Sequence, residues 1–304
     1  MDFIASLAKM SVVLTAIAAG YLANKLGYLG GEVDRKLTKV ILNLCIPAMT
    51  IGTVSTSAEL PGPTILWNMT KVVVLFYGIA FLVAAILPRL LGGTKAQQSV
   101  WRFALSFPNV GFIGIPVATA FFGQEGMLYA LILMMPFNVL SYAMGPVMLT
   151  GGFRNFSVRK IFSPAVVSAM IALAMTLTRI RPPLVLGECL NIVGDMTVPL
   201  SLMIIGSTLA GLPMGRIFTS LRLWLLAAVR LILLPALLWG ALQAFGIEKL
   251  VMGVAIVQMA MPVAANGSML CMEYGGDMDT MAQATFLTTL LSMVTVPLMV
   301  TVLL

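Results

Sequence analysis

The sequence predicts an all-α polytopic membrane protein of ten transmembrane helices, arranged as two inverted repeats of five. Four observations predict it. Hydrophobic residues fill 60% of the 304 positions and charged residues only 10%, with a mean hydropathy of +1.03. Apolar runs of about 20 residues, the length that crosses a bilayer, recur along the whole chain. The halves also resemble each other at an offset of half the chain: Asn43–Pro47 falls on Asp195–Pro199, and Phe121–Gln124 on Glu273–Gly276. Finally, each half holds one interrupted apolar segment in a matching place, Ser106–Val117 and Met261–Ser268. Five spans per repeat is odd, so the second half enters the membrane with the opposite orientation, a plan common among secondary transporters.

Taken in order, the first span covers 3–24. Asp2, the absence of a basic leader and the length of the segment argue against a cleaved signal peptide. The second and third spans are 37–56 and 64–88, set off by Gly30-Gly31 and by Pro61-Gly62-Pro63. The fourth, 99–122, follows Gly92-Gly93 and contains the first interruption; the fifth, 126–150, follows Gly123. Gly151-Gly152 then divides a first repeat, 1–152, from a second, 153–304. Spans 158–179, 184–210, 218–243, 250–273 and 280–303 complete the set, with Pro182-Pro183, Pro213 and Gly275-Gly276 as breakers. No connection is long enough to be a soluble domain.

Charge distribution orients the chain. The net charge is +7, and twelve of the 18 Lys and Arg lie in the odd-to-even loops against four on the opposite side. Basic residues mark cytoplasmic loops, so both termini are expected outside a cell membrane. The basic excess is thus an orientation signal and does not imply nucleic acid. Cys45, Cys189 and Cys271 sit in or beside apolar segments without metal spacing and read as small apolar residues. Histidine is absent, which removes Ser-His and Cys-His catalysis and the usual proton-relay imidazole. Gly275-Gly276-Asp277 is similar to an intramembrane aspartyl protease motif, but Asp277 falls in a loop and no span supplies a matching acid. No phosphate-binding glycine loop occurs. An enzyme, a bound metal and a cofactor are not expected.

The interrupted segments carry the chemistry. Pro108, Asn109, Gly111, Gly114 and Pro116 fall within nine residues of an otherwise apolar stretch. Each proline removes a backbone hydrogen bond. In lipid, a freed carbonyl or N–H is tolerated only where protein or a water-filled cavity satisfies it. A broken helix beside a solute path is the expectation, against a kinked helix used for packing alone. Asn109 can donate to a carboxylate where the following half-helix points its N–H groups, or it can simply cap that half-helix. Asn266, Gly267 and Ser268 open the second half of span nine, and Gln258 either lines the path or satisfies the broken backbone. Asp195, an acid in the body of span seven, has Asn43 as its repeat partner; intramembrane carboxylates are costly and mark proton or cation sites. It lies near the interface instead if that span begins later. Arg230, in mid-span eight, pairs with Asp195, meets an anionic substrate or snorkels. Asn138 is the site candidate of span five. The hydroxyls of Ser141, Thr285, Thr288, Thr289 and Ser292 read as bonded to their own or a neighbouring helix.

Phe107-Pro108-Asn109-Val110-Gly111-Phe112-Ile113-Gly114-Ile115-Pro116, with Gly194-Asp195, Ala260-Met261-Pro262 and Glu273-Tyr274-Gly275, resembles the auxin efflux carrier family. The similarity extends over all ten segments. That family includes plant auxin exporters and compact prokaryotic carriers for malate, malonate and similar acids. The resemblance implies a fold like that of sodium/bile acid symporters, in which helices 4 and 9 cross at Pro108 and Pro262 and Asn109 contacts substrate. It also implies a scaffold of helices 1, 2, 6 and 7, a transport part of helices 3–5 and 8–10, and a homodimer. The plant exporters carry a long loop between spans five and six. Here 151–157 is short, as in a compact prokaryotic-type member. The expected function is a secondary carrier moving a small organic anion, such as a mono- or dicarboxylate or auxin-like acid, by alternating access. Substrate contacts are expected from Asn109, Pro108, Gly111, Asn138, Pro262, Asn266 and Ser268, and proton or Na⁺ coupling from Asp195, Asn43 or Gln258. The other readings are a Na⁺-coupled symporter of a larger amphipathic anion, and a channel or transport-dead sensor.

Overall fold

Runs of apolar residues punctuated by Gly and Pro form helices throughout the computed structural model, which describes residues 3–56, 61–150, 164–211 and 220–304. Six helical stretches among these residues are long and apolar enough to cross a membrane: Gly31–Thr56, Pro63–Leu91, Val110–Thr150, Leu184–Ala210, Leu221–Ala244 and Met278–Leu303. The molecule is therefore an all-helical, polytopic membrane protein. The 151–157 connection, Pro213 and the first residues of predicted spans six and eight lie outside the described residues.

Helix α1 is Phe3–Lys25. Helix α2 (Gly31–Val40) continues through a wide turn at Ile41–Cys45 into α3 (Ile46–Thr56). It begins six residues earlier than the apolar pattern suggests. Gly30, at φ 128, lets the chain turn in, and Glu32 and Asp34 sit in the first turn, where the helix dipole favours acids. Pro63 opens α4 (Pro63–Leu91). Helix α5 (Lys95–Ser106) starts with a reciprocal cap: Gln97 N donates to Thr94 Oγ1 and Thr94 N to Gln97 Oε1. After the first break and a wide turn at Val110–Gly114 comes α6 (Ile115–Thr150), bent at Gly123, whose φ of 68 and ψ of −155 are not helical.

Further helices follow from residue 164 onward. Helices α7 (Pro164–Thr178), α8 (Leu184–Gly194) and α9 (Thr197–Ala210) are followed by α10 (Leu221–Ala228). A wide turn at Val229–Leu233 leads from α10 into α11 (Leu234–Ala244). Helix α12 (Lys249–Met259) ends at the second break, α13 (Asn266–Tyr274) begins beyond it, and α14 (Met278–Leu303) closes the described chain.

Packing sorts these helices into two groups. Helix α1 runs along α9, and α3 lies against α7 and α8. The α1–α9 contact is backbone to backbone: a Cβ on Gly20 would collide with the Met203 carbonyl, and one on Gly206 with that of Ile17. Small residues allow such close approach between helices in lipid, where dispersion and not water exclusion holds them together. The other group joins α4 to α5, α11 and α12, α6 to α12 and α13, and α14 to α5, α10 and α13. The groups meet where α6 touches α7, where α1 touches α14, and where α9 touches the Val110–Gly114 turn.

Candidate functional site

Both breaks need partners for backbone groups that their prolines and extended residues release. They find them in each other. Pro108 and Val263 form an antiparallel bridge, with Asn109 N donating to the Pro262 carbonyl at 2.8 Å and Ala264 N to the Phe107 carbonyl at 3.0 Å. Val263 N is taken by Thr288 Oγ1 of α14 at 3.1 Å. The Phe107 ring, fully buried, is held between Phe81, Phe103 and Phe137 at centroid distances of 5.9, 5.0 and 6.1 Å. Aromatic packing thus fixes the first break, and the bridge carries that rigidity to the second.

The two sides of this junction have opposite polarity. On one side the new helices start. Asn109 Oδ1 accepts from Phe112 N at 3.1 Å and caps the turn at Val110, while Asn266 opens α13. Helix starts present N–H groups and the positive end of the dipole. On the other side α5 and α12 end, and their last carbonyls point to Arg230. This side chain is wholly buried. It donates Nη1 to Leu105 O at 2.9 Å, Nη2 to Met259 O at 2.8 Å and Nε to Met261 O at 3.1 Å. Arg230 therefore neither pairs with Asp195 nor snorkels. A C-terminal cation that bonds the last carbonyls is the expected complement of two converging helix ends.

A cavity of about 460 Å³ opens on the positive side. Asn109, Asn266 and Ser268 line it from the breaks, and Thr285 and Thr289 from α14. Asn266 Nδ2 reaches Ser141 Oγ at 3.4 Å, whereas Asn266 Oδ1 and Thr285 Oγ1 have no protein partner. The walls are otherwise apolar, with Leu42, Phe112, Ile204 and Phe286. A few convergent polar groups in an apolar cleft of this size fit a small-molecule site. Arg35, Thr38 and Lys39 stand on the α2 side, and both basic residues are exposed. Asp34, beside them, is engaged elsewhere: it accepts from Ser207 Oγ at 2.6 Å and Gly30 N at 2.9 Å, and Asn24 Nδ2 supports Ser207. Among the described residues neither Arg35 nor Lys39 is ion-paired, so the rim is cationic.

The candidates read from the sequence distribute as follows. Asn109, Asn266 and Ser268 share the cavity; Pro108 belongs to the bridge behind it, and the Pro262 carbonyl accepts from Asn109 N there. Gly111 is buried against α6, where a Cβ would stand 3.4 Å from Met134 Sδ. Asn138 is buried one turn before Ser141, and its carbonyl accepts from Ser141 Oγ at 3.4 Å; its Nδ2 has no protein partner. Gln258 is fully buried beside Gly114, with neither amide atom bonded. Asn43 and Asp195 are exposed and do not line the cavity; Asn43 Nδ2 donates to the Lys39 carbonyl in its own helix.

Sequence reasoning missed Arg35, Thr38, Lys39, Thr285 and Thr289 as cavity residues. For the first three a signal existed: once α2 starts at Gly31, positions 35, 38, 39 and 42 share one helix face. The threonines carry no such mark, because their hydroxyls look like any that bond a helix backbone.

Comparison with known proteins identifies the family. A family model described as "Membrane transport protein" matches residues 5–154 and 151–300. An "Uncharacterized transporter" of Methanothermobacter thermautotrophicus is 26% identical over 306 residues, covering 98% of each chain. A "Putative malonate transporter" of Rhizobium meliloti is 24% identical over 92% of this chain and 90% of its own. A further "Uncharacterized transporter", from Methanocaldococcus jannaschii, is 25% identical over 94% and 95%. With the match running through both halves and both helix breaks, the chain belongs to the membrane transport protein family, that of the auxin efflux carriers.

Proposed function

We propose that this transporter is a secondary carrier of small organic anions, mono- or dicarboxylates of the malonate type, and that the anion binds in the cavity at the paired helix breaks. One observation carries the reading: amide and hydroxyl donors of Asn109, Asn266 and Ser268 converge with two helix starts in an apolar cleft rimmed by Arg35 and Lys39. Fixed donors deep in the cleft bind a carboxylate by charge-assisted hydrogen bonds. The unpaired cations at the rim raise its local concentration. A relative from Rhizobium meliloti carries malonate in its name, which makes malonate the first probe.

In this reading the halves 1–152 and 153–304 are inverted repeats of five spans, and the interrupted spans four and nine cross at Pro108 and Pro262. Helices α1–α3 and α7–α9 form a scaffold, and the others a transport part that rocks against it. Both termini face outward, so the cavity opens to the cytoplasm on the side of α2. The protein acts in the cell membrane, and a homodimer is built on the scaffold. The bridge between the breaks suits alternating access, because it ties both interrupted segments into one body that can move as a unit.

The test is malonate-driven stabilisation and exchange by the purified protein. Malonate is expected to raise the melting temperature and to drive saturable counterflow in proteoliposomes, with both lost in Asn109→Ala. A ligand at about a hundredfold over its Kd contributes about 2.7 kcal/mol, well within reach of a melt. Stabilisation that survives in Asn109→Ala sinks the site. Flux that never saturates identifies a channel, and binding without flux a sensor.

A further inference from the structure

Arg230 is the one described residue whose charge is wholly buried, and the binding cavity does not use it. Its three carbonyl partners lie at the ends of two different helices: Leu105 in the last turn of α5, Met259 at the end of α12, and Met261 two residues beyond it in the break. Such carbonyls are left over by helix geometry, and the negative dipole ends that carry them converge here. In transporters built on broken helices, unwound carbonyls and half-helix C-terminal ends are the groups that coordinate a coupling cation. In this chain the guanidinium already bonds them. The wide turn at Val229–Leu233 adds a residue to the helix at this point, a local insertion of the kind found at functional positions. Among the described residues no carboxylate pairs with Arg230; its positive charge is met by the three carbonyls, with Met259 Sδ at 4.0 Å beside them.

We propose that Arg230 is the carrier's built-in counter-cation: its guanidinium fills the position between the ends of α5 and α12 at which these carbonyls would otherwise hold an inorganic monovalent cation. The breaks therefore keep their geometry, and the cavity binds its anion, without Na⁺. Arg230 is a positioning residue, separated from substrate by the backbone bridge. Removing its side chain uncovers a latent cation site made of Leu105, Met259 and Met261 carbonyls. The substrate arm of this inference rests on the carrier reading; the stability arm does not.

The experiment compares the full-length protein with Arg230→Ala and Arg230→Met in NaCl, in choline chloride and in choline chloride with millimolar guanidinium, reading melting temperature and malonate affinity. Wild type is expected to give the same values in NaCl and choline. Arg230→Ala is expected to melt lower and to lose roughly tenfold or more in malonate affinity, as buried carbonyls go unpaired. Na⁺ or guanidinium, but not choline, restores both. Arg230→Met fills the space without charge and is expected to stay impaired in every salt. The inference is overturned if wild type needs Na⁺ to bind malonate, if Arg230→Met matches wild type, or if the Arg230→Ala defects are the same in all three salts. Should Arg230→Ala not fold, Arg230→Lys takes its place: it is expected to fold and to bind malonate equally in both salts, and binding only in Na⁺ refutes the inference. Should wild type bind no carboxylate at all, the carrier reading fails, while the melting temperatures still decide the role of Arg230.

Discussion

Replacing Asn109 with aspartate separates the two roles that this side chain combines. Oδ1 caps the helix that starts at Val110 by accepting from Phe112 N at 3.1 Å. Aspartate keeps that acceptor and adds a negative charge at a helix start, which is favourable by about 0.3–1 kcal/mol. The melting temperature of Asn109→Asp is therefore expected at or above wild type, whereas Asn109→Ala loses the cap and about 1 kcal/mol. Binding moves the other way. Asn109 is 4% exposed and lines the cavity, so a carboxylate there faces the bound anion. Two like charges about 4 Å apart repel by about 4 kcal/mol at an effective dielectric of about 20. That is roughly a thousandfold in Kd. Calorimetric titration of malonate into the purified variants, beside their melts, reads both quantities. A well-folded Asn109→Asp protein that binds malonate within a few-fold of wild type would show that the anion sits elsewhere. An Asn109→Asp protein that melts as low as Asn109→Ala would refute the capping argument.

Three further outcomes follow from the same geometry. Replacing Arg35 and Lys39 together with glutamine is expected to slow malonate uptake and to flatten its salt dependence, because the rim charges steer the anion and hold it weakly; uptake kinetics across ionic strengths check this, and an unchanged salt dependence counts against a steering role. Thr288→Val leaves the Val263 N–H, now bonded to Thr288 Oγ1, without a partner, and is expected to cost about 1–3 kcal/mol of stability in a melt. Gly206→Leu drives a side chain into the Ile17 carbonyl of α1, and a loss of at least about 1–3 kcal/mol is expected; an undiminished melting temperature would mean that α1 and α9 do not touch in the membrane.

The sequence disclosed most of the helices because glycine and proline stand at their ends: Gly62-Pro63 before α4, Gly92 after it, and Gly275 after α13. It also disclosed the breaks, since two prolines and two glycines in an apolar run have few other uses. Two kinds of feature stayed hidden. The charged start of α2 read as a loop, because Glu32 to Lys36 lie outside the apolar run, and with it went Arg35. The partners of Arg230 were invisible for a different reason. They are carbonyls, which every residue owns, and only the path of two distant helices brings those of Leu105, Met259 and Met261 to one guanidinium. Polarity inside an apolar run singled out Asn43 and Asp195 without showing which helix face they occupy; both are exposed and do not line the cavity.

The bridge between Pro108 and Val263 has a consequence for how the chain is made. Synthesis delivers the first break to the bilayer half a chain before its partner exists. Until residues 262–264 emerge, the Phe107 carbonyl has no backbone donor and the Asn109 N–H no backbone acceptor, and hydrocarbon offers neither. The early helices must therefore wait, loosely associated or shielded by the insertion machinery. Final closure comes late, when the second break arrives and both open positions are satisfied at once. A ribosome that stops midway leaves no smaller, simpler transporter behind, only a nascent fragment with exposed backbone in lipid, a natural target for membrane quality control.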